Sequence, residues 1–429
     1  MSVQELHARI EKLSSEIQLQ KDSGILIELE RDKRLIQRQL NAVLDPVARL
    51  PVEISSEIFL QSLSPFPEPS LRHSPMLLLN ICNAWSDIAL STPELWAAID
   101  IVFPRAPRFE ELLEIWLHRA GHCHLSVSLR GEFNDEGFAA VAVIVWRHGQ
   151  QLRNLKICDG HEDHADEIED DREVDIFAGI IPGPLPSLKT LKIHGSVDGR
   201  ATSFSRPQIL ELLRLAPNLI QCIFHDVHLH GITPPDKLVL PALRRLAFLH
   251  YESRLHDDDA LLQCLSLPGI NALTLSLMHI SHDRLFSFLE RSSPPLHELV
   301  LGAAIHWVMP PRNSVTLRDC LRLVPSLTRF EVRWAALDFT TGLLTELAES
   351  TSLLPDLRDL TICKLPAYDI TRSFWEILHR AVSARRTQLR TFQVGVQGSE
   401  PPVDILSALR ELTVDGMQMH IGTQNAIVR

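Results

Sequence analysis

No apolar run in the 429-residue chain approaches the ~20 residues needed to cross a bilayer, so no membrane span is expected. The opening MSVQELHARIEKL has no apolar h-region, and no signal peptide is expected there. Paired cysteines are missing as well. Cys82, Cys123, Cys158, Cys222, Cys264, Cys320 and Cys363 are scattered, odd in number and never in a C-x-x-C pair. Disulfide frameworks and zinc cages need clustered, regular spacing, so reduced and mostly buried thiols are expected. That state suits the cytoplasm or nucleus. Positive charge is also scarce: a formal net charge of −12 argues against wholesale nucleic-acid binding, which favours a basic face.

Catalytic signatures are absent too. The chain contains no G-x-x-x-x-G-K-[ST], no G-x-G-x-x-G and no G-x-S-x-G. Its twenty histidines form no recognisable constellation with a nucleophile. His161 and His164 sit within the acidic run 159–175, which reads as a solvated loop rather than a metal site. His122-Cys123-His124 reads as a turn before a strand. No active site, cofactor or metal is expected, and the chain is read as not an enzyme.

The composition is that of ordinary globular material, 45% hydrophobic and 22% charged, long enough for two to three domains. Residues 5–43 read as helix. Leu6, Ile10, Leu13 and Ile17 alternate steps of four and three, a coiled-coil seam that fails at Gln20 and Gly24. A second seam runs through Leu26, Leu29, Lys33, Ile36, Leu40 and Val43. Asp22-Ser23-Gly24 is then either a break or the turn of an antiparallel hairpin. The seams leave three fates open: packing on the chain itself, partner pairing or self-association.

In LPVEISSEIFLQSL, residues 50–63, Pro51 can start a helix without loss because the first N–H groups have no intrahelical partner. A proline-rich loop comes next, then a second helix, MLLLNICNAWSDIAL, and then STPELW with Ser91 or Thr92 as N-cap. The series L-P-x-E-I…I-F, I-C-x-x-W…I-A, S-T-P-x-L-W resembles the F-box, the three-helix adaptor segment of cullin–RING ubiquitin ligases, over about residues 46–100. The resemblance implies a Skp-type adaptor, and through it a cullin, as partner. It implies adaptor contacts at Leu50, Pro51, Ile54, Ile58, Phe59, Cys82, Trp85, Leu95 and Trp96.

From residue 152 one phrase returns, apolar-x-x-apolar-x-apolar, starting at Leu152, Leu188, Leu219, Leu243, Ile270, Leu296, Leu327, Leu357, Leu389 and Leu409. Between the phrases lie helical patterns such as Ile209, Leu212, Leu213 and Ala216, or Phe374, Ile377, Leu378 and Ala381. A strand–turn–helix unit in tandem resembles the leucine-rich repeat, in which each unit buries its leucines on its neighbours. A closed (β/α)₈ barrel is the rival, disfavoured by the number of units. The expected fold is α/β: an open leucine-rich-repeat solenoid with parallel strands over 101–429, a small F-box-like segment over 46–100 and a coiled-coil helix over 1–45.

Alternation along each strand should turn Lys156, Lys192, His194, Gln221, His225, Arg245, Glu298, Arg329, Glu331, Arg333, Asp359, Glu411 and Asp415 outward. Of these, Lys156, Lys192, His225, Arg245, Arg329, Glu331 and Arg333 are the candidate contacts for a target protein. Basic members lie early and centrally and acidic ones late, a gradient suited to a charged protein ligand. The F-box resemblance thus implies the substrate-recognition subunit of an SCF-type ubiquitin ligase. A repeat scaffold unrelated to ubiquitin is the alternative.

Overall fold

The computed structural model describes residues 2–20, 23–103, 108–131, 133, 136–159, 172–195, 202–231, 236–249, 258–276, 281–302, 317–333, 337–365, 370–396, 401–412 and 417–423. Two units emerge: Met1–Arg130 with Asp135–Leu155, and Gly131–Asn134 with Lys156–Arg429.

The first unit opens with helices α1 (Val3–Leu19) and α2 (Ser23–Leu44). Ser2 caps α1 in a reciprocal box: its hydroxyl accepts from the Glu5 N–H, and the Glu5 carboxylate accepts from the Ser2 N–H. Leu6 and Leu13 of α1 pack with Ile36 and Leu40 of α2, and Val3, Ile10 and Leu29 lie against them. Part of each seam therefore buries part of the other as a hairpin, while Val43 at the end of the second is 48% exposed. Arg38 and Asn41 of α2 donate to Asn80 Oδ1 (3.0 Å) and the Ile81 carbonyl (3.0 Å), tying the hairpin to residues 80 and 81.

Helix α3 (Val52–Gln61) starts at Pro51, and α4 (Asn83–Ser91) is shorter than its pattern suggested. The stretch before it is a 3₁₀ turn, Leu78–Asn80, and Cys82 sits in extended backbone as the α4 N-cap. Cys82 accordingly does not share a helical face with Leu78. Another 3₁₀ turn, Pro93–Trp96, leads into β1 (Ala98–Val102). Then come α5 (Phe109–Ala120), β2 (Leu125–Arg130) and α6 (Glu136–Arg147), with β1 and β2 parallel from Ala98↔Ser126 to Val102↔Arg130.

The boundary to the second unit falls within β3 (Leu152–Cys158). The main-sheet strands of that unit are β4 (Thr190–His194), β5 (Gln221–His225), β6 (Arg245–Leu249), β7 (Ala272–Leu275), β8 (Glu298–Gly302), β9 (Arg329–Arg333), β10 (Asp359–Leu365), β11 (Thr391–Val396) and β12 (Gln418–Thr423). The unit also holds two small parallel sheets, one of Arg172–Val174, Thr202–Ser205 and His228–His230, the other of Leu238–Val239 and Leu265–Ser266. Each main-sheet strand pairs with the next in parallel, in chain order, and among the described residues β12 pairs with β11 alone. That open order is solenoid-like and not the closed ring of a barrel. Helices α7 (Arg206–Leu215), α8 (Asp258–Cys264), α9 (His282–Ser292), α10 (Leu317–Arg322), α11 (Leu337–Glu349), α12 (Arg372–Ala384) and α13 (Val403–Leu412) lie between strands.

The tenth phrase departs from expectation. Leu409 to Leu412 end helix α13, and the strand comes later, at Gln418. Only twenty residues separate Leu389 from Leu409, too few for a strand, a helix and a second strand, and Ile405 and Leu409 are buried at helical spacing. Glu411 is thus an exposed helical residue, and Asp415 lies outside the described residues.

Two backbone devices hold the stack. At the starts of β4 to β10 one carbonyl accepts two N–H groups from the next repeat, whereas Arg390 O before β11 receives Gln418 N alone among the described residues. Lys189 O receives Ile220 N and Gln221 N at 2.9 and 3.0 Å, and Ile220 O receives Arg244 N and Arg245 N at 2.8 and 3.0 Å. The same step recurs at the carbonyls of Arg244, Asn271, His297, Thr328 and Arg358. The second device is a buried arginine that reaches back to the preceding helix end. Arg385 is 1% exposed and donates to the carbonyls of Leu347 (3.1 Å), Leu354 (3.1 Å) and Ser350, in the last turn of α11 and just past it. Arg291 does the same for Leu262 (2.9 Å) and Leu265 (2.8 Å) at the end of α8. Helix ends leave such carbonyls without intrahelical donors, and a planar guanidinium can serve several at once.

Replacing Leu299 and Leu301 with Ala should cost ~2–5 kcal/mol per side chain, since both are buried. Hydrogen exchange should rise in β7 and β9 as well as β8, and protection lost in β8 alone would contradict stacking. Arg385→Lys, which keeps the charge but loses the fork, should lower stability by ~1–3 kcal/mol in urea titration.

Candidate functional site

The nine residues expected at the adaptor face divide by burial. Phe59, Cys82, Leu95 and Trp96 lie inside the first unit, none more than 2% exposed. They cannot form contacts on its surface, and they build its interior instead. The Phe59 and Trp85 rings meet at 4.8 Å, with Trp85 half-buried. Trp96 donates from Nε1 to the Ala89 carbonyl (2.9 Å), meets Trp116 edge-on at 5.0 Å, and carries Arg119 over its ring at 4.5 Å.

Leu50, Pro51, Ile54 and Ile58 face solvent. On α3, Ser55 and Phe59 point inward at i, i+4, while Ile54 and Ile58 point outward at the same spacing. The buried Ser55 hydroxyl donates to the Val47 carbonyl (3.0 Å), and Ser56 and Thr92 share a hydrogen bond of 2.8 Å. These bonds fix the rotation of the helix and so fix which residues it shows. Leu50, Ile54 and Ile58 are 42%, 51% and 44% exposed, and Val52, which sequence reasoning missed, is 48% exposed. The signal for Val52 was available: it precedes Ile54 in a helix too short to bury every apolar residue on one side.

The strand face of the second unit can be read row by row from the register. One row runs Thr190, Gln221, Arg245, Ala272, Glu298, Arg329, Asp359, Thr391, Gln418. Arg245 and Arg329 both reach Glu298 (3.7 and 3.9 Å), and Arg329 lies 4.0 Å from Asp359. Arg333 donates to Glu331 beside it. The sequence suggested a gradient, with basic residues early and central and acidic ones late. The structure instead gives a ladder of alternating sign, because register brings a carboxylate between or beside the arginines. Such half-exposed pairs contribute little to stability, but they fix where each charge stands. The next row passes through Ile223, Ala247, Thr274 and Val300, an apolar centre not singled out from the sequence.

Lys156, Lys192, His194 and His225 gather around β4 and β5. The two imidazoles stack at 5.0 Å, and His225 Nδ1 lies 3.1 Å from Asp226 Oδ2. Burial, then His225, Lys156 and Lys192, push the His194 pKa down to about 4, against an opposing pull from Asp226. Gly195 makes the packing possible, since a Cβ there would stand 2.0 Å from the Asp226 carbonyl oxygen.

None of the seven cysteines forms a disulfide. Burial raises the Cys222 pKa and pushes Cys320 up to about 12, so neither is an activated thiolate. Among the described residues no group of His, Cys, Asp and Glu could hold a metal, and no helix is long and apolar enough to cross a membrane. His161 and His164 lie outside the described residues.

His194 yields a pH signature. Its folded pKa lies below the unfolded value of ~6.5, so the unfolded chain takes up the proton first as pH falls. Stability contributed by neutral His194 should be full above ~6.5 and drain away down to about 4. Denaturation at pH 7 and pH 4.5 should show a smaller acid loss for His194→Gln than for wild type, and equal losses would refute the assignment.

No family model matches the chain, and no curated protein does either.

Proposed function

We propose that this chain is the substrate-recognition subunit of an SCF-type cullin–RING ubiquitin ligase, acting in the cytoplasm or nucleus. The observation that supports it is the exposed apolar edge Leu50, Val52, Ile54 and Ile58, held outward by the inward anchors Ser55 and Phe59. An apolar edge fixed in one orientation by a small core suits permanent cover by another protein. On this reading a Skp-type adaptor covers it and links the chain to a cullin. The tandem units are then leucine-rich repeats whose outward strand face holds the target. The chain supplies proximity and specificity, and other subunits supply the chemistry.

Changing Leu50, Ile54 and Ile58 together to Ala removes exposed side chains and spares the core. Hot-spot truncations cost ~2 kcal/mol or more, so recovery of a Skp-type adaptor in pull-down should collapse while circular dichroism stays at wild type. Equal recovery by variant and wild type would sink the reading.

A further inference from the structure

Arg358 and Arg390 precede β10 and β11 at matched register, since Asp359 pairs with Thr391. The Arg390 N–H donates to the Arg358 carbonyl at 2.7 Å, so the two residues are direct neighbours across the stack. Both side chains are exposed, and among the described residues neither guanidinium has an ion-pair or hydrogen-bond partner. Arg245, Arg318, Arg322, Arg329 and Arg372 of the same unit each meet a carboxylate. Among the described residues Arg380 on α12 is exposed and unpaired as well, but it does not line the cleft that Arg358 and Arg390 share. Like charges set side by side repel, and among the described residues no carboxylate stands within ion-pair distance of either.

The two arginines line a cleft of about 690 Å³ together with Arg386, Thr387 and Gln388 from the turn after α12. Its floor includes Leu357, Leu389 and Met417, all buried and apolar, which strengthens any charge interaction made above it. Asp356 also lines it, yet makes no ion pair with Arg358 or Arg390. Three guanidiniums gathered in one cleft run against the net charge of −12. Neighbouring parallel strands place residues ~4.8 Å apart, so two forks can approach one small anion from adjacent positions. A carboxylate is satisfied by a single fork, whereas a phosphate monoester offers three acceptor oxygens and close to two charges.

We infer that this cleft is a binding site for a phosphate monoester, held by Arg358 and Arg390 with Arg386 beside them. A small molecule and a modified protein side chain both present this group, and the recognising chemistry is the same for each. The site lies at the strand starts, apart from the strand-face rows, and does not rest on the adaptor reading.

Calorimetric titration of the full chain with O-phosphoserine, and with an octapeptide carrying phosphoserine or plain serine, tests it. Wild type should bind both phosphorylated probes and not the plain peptide, and affinity should fall as salt rises. Arg358→Gln with Arg390→Gln should weaken binding at least about tenfold, while Arg214→Gln, an exposed change on α7, should leave it intact. Tighter binding of the phosphopeptide than of O-phosphoserine assigns the phosphate to a protein segment, and equal binding assigns it to a small molecule. Thermal melts give a second readout. Without phosphate the double variant should melt at or above wild type because the repulsion is gone, and it should lose the upward shift that O-phosphoserine gives wild type. Failure of wild type to bind either phosphorylated probe, or equal binding by the double variant, overturns the assignment.

Discussion

A buried carbonyl without a donor costs ~1–3 kcal/mol, and a stack of parallel strands renews that liability at every bend and every helix end. In the second unit the bends are settled by carbonyls that accept two N–H groups from the next repeat, beginning at Lys189 and still present at Arg358. Two helix ends are settled by Arg291 and Arg385, which come from the next helix along. In both cases the group that satisfies a repeat belongs to its successor. A repeat of this kind has no complete hydrogen-bond inventory of its own, and the buried leucines only add to an interdependence that the backbone already requires.

The strand positions were legible because a buried parallel strand repeats its apolar phrase whatever its neighbours do. The phrases at Leu188, Leu219, Leu243, Ile270, Leu296, Leu327, Leu357 and Leu389 each lead into a strand, whereas Leu409 belongs to a helix. There the spacing, not the phrase, held the answer. Ion pairing was illegible for a different reason. Arg245 and Glu298 are far apart in sequence, and only the register sets them in one row. Phe59, Cys82, Leu95 and Trp96 show a third limit: a short motif does not say which of its apolar residues face inward. On α3 the hydrogen bond from Ser55 to the Val47 carbonyl fixes which side faces inward, and no apolar pattern announces it.

The strand face and the α3 edge differ in what they ask of a ligand. Leu50, Ile54 and Ile58 offer area without charge, so affinity there would come from burial and would respond little to salt. The ladder of Arg245, Glu298, Arg329 and Asp359 offers alternating charge in a fixed order, which discriminates by pattern and penalises a ligand set one strand out of place.

The doubly accepting carbonyls occupy positions whose side chains are Lys189, Ile220, Arg244, Asn271, His297, Thr328 and Arg358. Cationic, aliphatic, amide, imidazole and hydroxyl groups all stand on the same main-chain step. Because the stitch is made by backbone atoms alone, it places no demand on the side chain above it. That row can therefore be rewritten at Ile220, Asn271, His297 and Arg358 without reopening the stack, like type set on a fixed line, whereas Lys189, Arg244 and Thr328 add side-chain bonds to the carbonyls of Asn218, Gly269 and His297. A protein that had to acquire a new specificity could change its letters there before touching anything that keeps it folded.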